Sequence, residues 1–214
     1  MASYWVKTPR WLKCFFPADV MWDVPLSDEE AVYITFDDGP HPTVTPFVLA
    51  QLRLYNADAT FFCVGNNVAR YPAVYNEILN AGHTTGNHTF NHSNGWRTAN
   101  GAYLRSIRQA SNYVGGYLFR PPYGRMKLSQ YRKLKKTDKR WKVWMWDILS
   151  GDFDKDLSPQ QCINNVLEHI KPGSVIVFHD SEKAWDRMHI ALPAVLAYCA
   201  DKHWKMKVLP QGDK

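Results

Sequence analysis

His88-Thr89-Phe90-Asn91-His92 sets two imidazoles four residues apart. That spacing puts both rings on one face if the segment makes a helical turn, close enough to share one ion. Asp37-Asp38 supplies two adjacent carboxylates whose side chains need not point the same way. Asp38 with the two histidines makes a His-His-Asp set, three protein ligands that leave a position for water, and a metal in such a set lowers the pKa of its water toward 7. Asp37 is then the natural general base. Taken singly these signals are weak. Asp-Asp-Gly also reads as a turn closed by its own hydrogen bonds, an H-x-x-x-H pair is evenly balanced between ligation and none, and a lone strand-end histidine such as His179 is more often structural.

The elements that must position them read as follows. Residues 32–36 form a strand that ends at Asp37-Asp38-Gly39-Pro40, and 44–55 form a helix with Val44, Phe47, Val48 and Leu52 on one face. Residues 59–64 give a second strand and 68–81 one helix closed by Gly82. Further strands are predicted at 117–119, 142–148 and 175–178, and further helices at 102–114, about 159–170 and 190–202. This alternation predicts an α/β fold with a parallel sheet, open or closed into a barrel. If the strands are parallel, Asp37, Asp38, His88, Arg120, the run from Asp147 to Asp152, and His179 all gather on the carboxyl rim.

Composition bounds the rest. The chain has 214 residues, 45% hydrophobic and 21% charged, which fits one folded domain and excludes a disordered, collagen-like or disulfide-scaffold protein. Cys14, Cys63, Cys162 and Cys199 have no C-x-x-C spacing and suggest neither a thiol metal site nor a disulfide frame. The net charge of +6 comes from one segment, with nine Lys or Arg against Asp138 alone between Arg125 and Lys142. A solvated helix face is expected there, with Leu128, Tyr131 and Leu134 on the inner side; an anionic partner is the second reading, and nucleic acid is unlikely. No run of about 18 apolar residues predicts a membrane-spanning helix. Residues 1–16 lack the apolar centre of a secretion signal and mix Trp5, Trp11, Leu12, Phe15 and Phe16 with Lys7, Arg10 and Lys13. They are expected to pack on the domain or to make peripheral membrane contact, with Pro9 interrupting a continuous helix, so the expected location is cytoplasmic or peripheral at the inner face of the membrane.

Thr35-Phe36-Asp37-Asp38-Gly39-Pro40, His88-Thr89-Phe90-Asn91-His92, Arg120-Pro121-Pro122-Tyr123-Gly124 and Phe178-His179-Asp180 follow in one order, with the runs 59–65 and 81–83 between the first two. Together they resemble the motifs of the polysaccharide deacetylases of carbohydrate esterase family 4, the NodB-homology domain, over about residues 31–210. The resemblance implies an α/β fold of distorted (β/α) barrel type with fewer than eight units, in which 31–210 is the catalytic domain and 1–30 an N-terminal extension. It implies metal-dependent removal of acetyl groups from an N-acetylated sugar polymer, oligomer or glycoconjugate. Carried over by residue, Asp37 is the base and Asp38, His88 and His92 hold one divalent ion, Zn²⁺ first, with Co²⁺ or Ni²⁺ as alternatives. Arg120 orients Asp37, the Tyr123 backbone N–H helps stabilise the oxyanion, and His179 is the general acid. His41 and His83 are expected to be structural.

The pattern departs from the family between Trp146 and Phe153, where an Asp-x-x-Asp-Trp run usually supplies a carboxylate behind the acid histidine. Aligning Ser150 and Asp152 with that run puts Leu149 at the supporting position. Strand parity places Asp147 on the face of Leu149, so Asp147 is expected to replace the missing partner, with Asp180 the competing candidate. A glycan- and metal-binding protein with impaired catalysis, or an O-acetyl esterase, are the alternative functions.

Overall fold

A computed structural model describes residues 4–26 and 29–211. The runs expected as strands are buried on both faces, which is why they read as nearly continuous apolar sequence. Ala31–Asp37 (β2), Ala59–Cys63 (β3) and Val175–His179 (β8) are the longest of these. Around them lie Val20–Met21 (β1), Thr84–Asn87 (β4), Leu118–Phe119 (β5), Lys142–Trp144 (β6), Ile148–Leu149 (β7) and Lys205–Met206 (β9). The sheet order is β1-β6-β5-β4-β3-β2-β8-β7, with β9 pairing β2, and every strand pair is parallel. The sheet curls into a distorted (β/α) barrel. Helices follow β2, β3, β4, β5, β7 and β8, whereas β6 runs into β7 with none between them, so there are fewer than eight units.

Alternation along β2 divides two environments. Ile34 and Phe36 face the outer helices, where Phe36 stacks on Phe61 at 4.9 Å and lies 6.3 Å from Phe178. Val44–Leu54 (α2), Pro159–Leu167 (α7) and Trp185–Asp201 (α8) cover this layer. Tyr33 faces the barrel interior with Phe62, Leu118 and Trp144, and by the same parity so do Thr35 and Asp37.

Several expected elements differ, among them the helix expected at 190–202, which is Trp185–Asp201 (α8). Residues 68–81 are not one helix: Gly65–Arg70 (α3) stops at Tyr71, and Pro72 opens Pro72–Asn80 (α4), because the residue before proline is driven out of helical conformation. The helix expected at 102–114 is Asn100–Ala110 (α5). The strand expected at 142–148 is two strands far apart in the sheet order, β6 next to the β1 end and β7 at the other end, and between them the Met145 N–H donates to Met21 and the Asp147 N–H to Val175. Leu128–Thr137 (α6) is helical as expected, but Leu128 is exposed and only Leu134 of the three apolar residues is fully buried.

The segment before β2 lies along the β6–β7 edge. β1 pairs β6, Lys7 bridges Ile148, and Val20 and Trp22 enter the core beside Tyr103, Phe119 and Trp141. Its helix, Arg10–Lys13 (α1), is a single turn. Among the described residues no helix is long and apolar enough to cross a membrane.

Phe61 has no exposed surface to which its ring could relax, so Phe61→Ala should cost about 3–5 kcal/mol in denaturant unfolding. A cost near 1 kcal/mol would mean that the Phe36–Phe61–Phe178 layer can collapse into the gap.

Candidate active site

Strand register assembles the site. Asp37, last in β2, sits beside His179, last in β8, and beside Phe62 of β3. Cys63 pairs with Asn87 and Asn87 with Phe119, so His88 and Arg120, one residue beyond, emerge on the same rim. The loops that follow are strained. Asp38 (φ 83°), Thr89 (φ 62°), His92 (φ 51°) and Tyr123 (φ 60°) occupy the left-handed region although none is glycine, a cost of about 1–3 kcal/mol each that overdetermined active sites commonly carry.

The turn at Asp38 separates the two neighbouring carboxylates. Asp37 points into the barrel, where its Oδ1 accepts from Arg120 Nη1 at 2.8 Å. Arg120 is fully buried, and its remaining donors reach Thr35 Oγ1 at 2.7 Å, the Met145 carbonyl at 2.8 Å and the Trp144 carbonyl at 3.3 Å, with Phe62 packed on the guanidinium face. Asp38 instead meets the histidines. His92 Nε2 lies 3.1 Å and His88 Nε2 3.8 Å from Asp38 Oδ1, and the three donor atoms are all within 4.8 Å of one another.

This donor set fits a divalent ion. His88 Nδ1 donates to the Arg120 carbonyl at 2.8 Å, which leaves a bare Nε2 lone pair aimed at the cluster. Burial pulls the His88 pKa down to about 4, so the ring is neutral near pH 7. Asp38 Oδ1 is buried without a hydrogen-bond partner. A bare nitrogen lone pair facing an orphaned carboxylate oxygen repels unless a cation lies between them. The 88–92 segment is not helical, contrary to the simplest geometry for an i, i+4 pair; its left-handed turns at Thr89 and His92 turn the rings to one point instead.

His179 has a carboxylate partner, which is Asp152. His179 Nδ1 donates to Asp152 Oδ1 at 2.7 Å and the His179 N–H to Oδ2 at 2.8 Å, and Asp152 is fully buried. Burial alone would lower the His179 pKa, but the charge and hydrogen bond of Asp152, with smaller contributions from Asp38 and Asp37, raise it to about 9. Tyr123 stands at the mouth, its hydroxyl 3.1 Å from His92 Nδ1. His41 caps the turn before α2, its Nδ1 accepting from the Val44 N–H, and His83 lies away from the cluster, buried against Phe61.

A family model described as polysaccharide deacetylase matches residues 26–140. The chain belongs to this family, carbohydrate esterase family 4. A peptidoglycan-N-acetylglucosamine deacetylase of Bacillus cereus is 32% identical over 83% of this chain and 84% of its own length. A chitooligosaccharide deacetylase of Azorhizobium caulinodans is 34% identical over 72% and 75%. In three dimensions the fold matches a solved peptidoglycan N-acetylglucosamine deacetylase, in complex with a naphthalenyl N-oxidanyl-benzamide, with a TM-score of 0.83, 28% identity and 95% coverage of both chains.

Against the polysaccharide deacetylase pattern, one sequence expectation is corrected. Neither Asp147 nor Asp180 supports His179. Asp147 bonds the Val175 carbonyl at the start of β8, four residues and about 13 Å from His179 at its end. Its carboxylate is taken by Lys7, by Ser174 at 3.0 Å and by Lys13 at 3.8 Å, on the far rim of the barrel. Asp180 Oδ1 accepts from the Gly39 N–H at 2.9 Å and its Oδ2 from Thr45 at 2.6 Å, so it holds the Asp37–Gly39 turn. Parity failed because Asp147 precedes a new strand. The alignment used Asp152 for the second acidic position of the run and so left Leu149 at the supporting one; Gly151, in the left-handed region at φ 81°, lies between β7 and Asp152.

Asp152→Asn should leave burial as the dominant influence on His179 and lower its pKa. With His179 as the expected general acid, its protonated form is then lost at lower pH, so the alkaline limb of the pH–rate profile should move down and the rate at pH 8 fall about tenfold or more. Asp147→Asn should leave that limb in place while lowering the melting temperature. An alkaline limb that follows Asp147 rather than Asp152 would reverse the assignment.

Proposed function

We propose that the protein is a metal-dependent deacetylase that removes N-acetyl groups from an N-acetylated sugar polymer, oligomer or glycoconjugate. One observation carries the reading: Asp37 on its buried arginine and His179 on its buried aspartate stand side by side at the rim where Asp38, His88 and His92 converge. Both curated relatives described above are, by name, deacetylases of N-acetylated sugars.

Asp38, His88 and His92 would hold the ion, Zn²⁺ by donor type, with Co²⁺ or Ni²⁺ also suited. When bound, it supplies Lewis acidity that acidifies water and polarises the acetyl carbonyl. The chain's own groups do the rest. Arg120 fixes Asp37 Oδ1, leaving Oδ2, 3.9 Å from His88 Nε2, to take the proton of the attacking water. Because Arg120 is immobilised by four acceptors, Asp37 cannot turn away to pair elsewhere. The backbone N–H of Tyr123, in its left-handed turn, is the oxyanion donor of this reading. His179, kept protonated by Asp152, delivers a proton to the departing amine.

The alternative of a glycan-binding protein with impaired turnover rested on an unsupported His179. Asp152 removes that basis. An O-acetyl ester would be opened by the same attack, so the leaving group is a question for substrate trials.

Chelator-stripped protein should release acetate from N-acetylglucosamine oligomers only after Zn²⁺ or Co²⁺ is added, and Asp37→Asn should abolish release while still binding metal. Metal should also raise the melting temperature, by an amount equivalent to about 2.7 kcal/mol at one hundred times the dissociation constant. His88→Ala with His92→Ala should lose that stabilisation. Release that survives metal removal, or a thermal shift that survives both histidine changes, would refute the reading.

A further inference from the structure

Beside the catalytic rim lies an apolar groove of about 300 Å³ that the deacetylase reading leaves without a task. It is lined by Pro121 and Gly124, the residues on either side of Pro122-Tyr123, and by Val20, Met126, Val143 and Met145. Phe15, Trp96 and Leu128 stand at its mouth. Trp96 is more than half exposed, Leu128 nearly so, and Phe15 is 79% exposed. From Phe15 the apolar surface continues outward through ring contacts, to Trp11 at 6.2 Å and from Trp11 to Trp5 at 5.5 Å, both also more than half exposed. Five large apolar side chains thus form one strip leading from the site mouth across α1.

The strip has a cationic fringe. The Arg125 guanidinium lies 5.1 Å over the Trp96 ring, and Lys127 lines the groove. Arg132 is exposed one helical turn beyond Leu128 on the same face of α6. None of these three makes a salt bridge among the described residues, whereas Asp19 is already engaged by Lys135 and Tyr131 and Asp23 by Lys13. The face presents uncompensated positive charge around exposed Trp and Phe.

We propose that this strip and its fringe are a docking surface for an anionic lipid bilayer. Trp, Phe and Leu side chains bordered by Arg and Lys are what the headgroup–acyl boundary takes up, and the anionic surface attracts the fringe. Ring geometry argues against a glycan as the occupant. Trp5 and Trp11 are inclined at 82° and Trp11 and Phe15 at 87°, so successive rings present edges to one another and offer no continuous flat platform for successive sugars. Insertion needs only that the rings project. Docking by this face would hold the catalytic mouth, at Tyr123 and Trp96, against the bilayer surface. The docking itself does not depend on the deacetylase reading and stands or falls separately from it.

The test is co-sedimentation of the full chain with vesicles of phosphatidylcholine containing about one third phosphatidylglycerol, with tryptophan emission followed in parallel. Binding with a blue shift is expected, weaker on pure phosphatidylcholine and reduced by salt. Trp11→Ser with Phe15→Ser should weaken binding at least about tenfold, and Arg132→Gln about fivefold, with melting temperatures near wild type because these side chains are exposed. The Asp37→Asn chain should bind like wild type. Absence of binding to anionic vesicles would overturn the proposal. So would binding that ignores the Trp11 and Phe15 changes, or a dimer in solution that those changes dissociate, which would make a second copy the occupant.

Discussion

The buried pair of Arg120 and Asp37 is the contact on which the rest of the rim depends. A guanidinium inside the barrel is tolerable only if its donors are satisfied, and four acceptors from two separate parts of the sheet satisfy it: Thr35 and Asp37 on β2, and the Trp144 and Met145 carbonyls where β6 ends. The missing helix after β6 is part of this arrangement. Because the chain leaves β6 without entering a helix, those carbonyls stay free to face inward. Arg120 also acts through its own backbone, since its carbonyl fixes the His88 ring. One residue therefore orients the proposed base and a proposed metal ligand together, and the two cannot drift apart independently.

Around that pair the turns divide labour between neighbouring residues. Asp37 and Asp38 are adjacent, yet one carboxylate faces Arg120 and the other the histidines, because Asp38 adopts a left-handed conformation that reverses the chain. Gly39 makes the reversal tight: a Cβ there would lie 2.0 Å from Asp180 Oδ2, inside the hydrogen bond that holds the turn. Asp180 is thus a support for the turn, while Asp152 plays the corresponding part for His179.

What could be read in the sequence was whatever depended on strand ends. Buried parallel strands announce themselves as apolar runs, and a polar residue at the end of one must lie on the rim, so Asp37, Asp38, His88, Arg120 and His179 came together from sequence order alone. What could not be read depended on where one strand stops and another begins. Lys142 to Leu149 is apolar enough to read as one strand, and parity carried across the hidden break at residues 145–147 sent Asp147 to the wrong rim. Asp152 lies in a loop and has no periodicity to betray it. Leu128 illustrates the same limit on a helix, since helical spacing gave it an inner face that the groove leaves open to solvent.

Charge balance explains why the His-His-Asp cluster differs from the other carboxylates of the rim. Asp37 has Arg120, and Asp152 has His179, whose raised pKa keeps it cationic near pH 7. Burial pushes Asp180 up to about 8, so it can sit uncharged between its two donors. Asp38 has no partner to itself: burial works against its charge, and His92 and the charge of His179 together hold its pKa low. Its nearest groups are His92 and the neutral, buried His88, and one of its oxygens is orphaned. A carboxylate oxygen without a donor, facing a bare imidazole nitrogen, is costly unless a cation completes it. Asp37, Asp152 and Asp180 are thus each balanced by a partner or by protonation, and the rim carboxylate with an oxygen still open is the one whose neighbours are metal ligands by type.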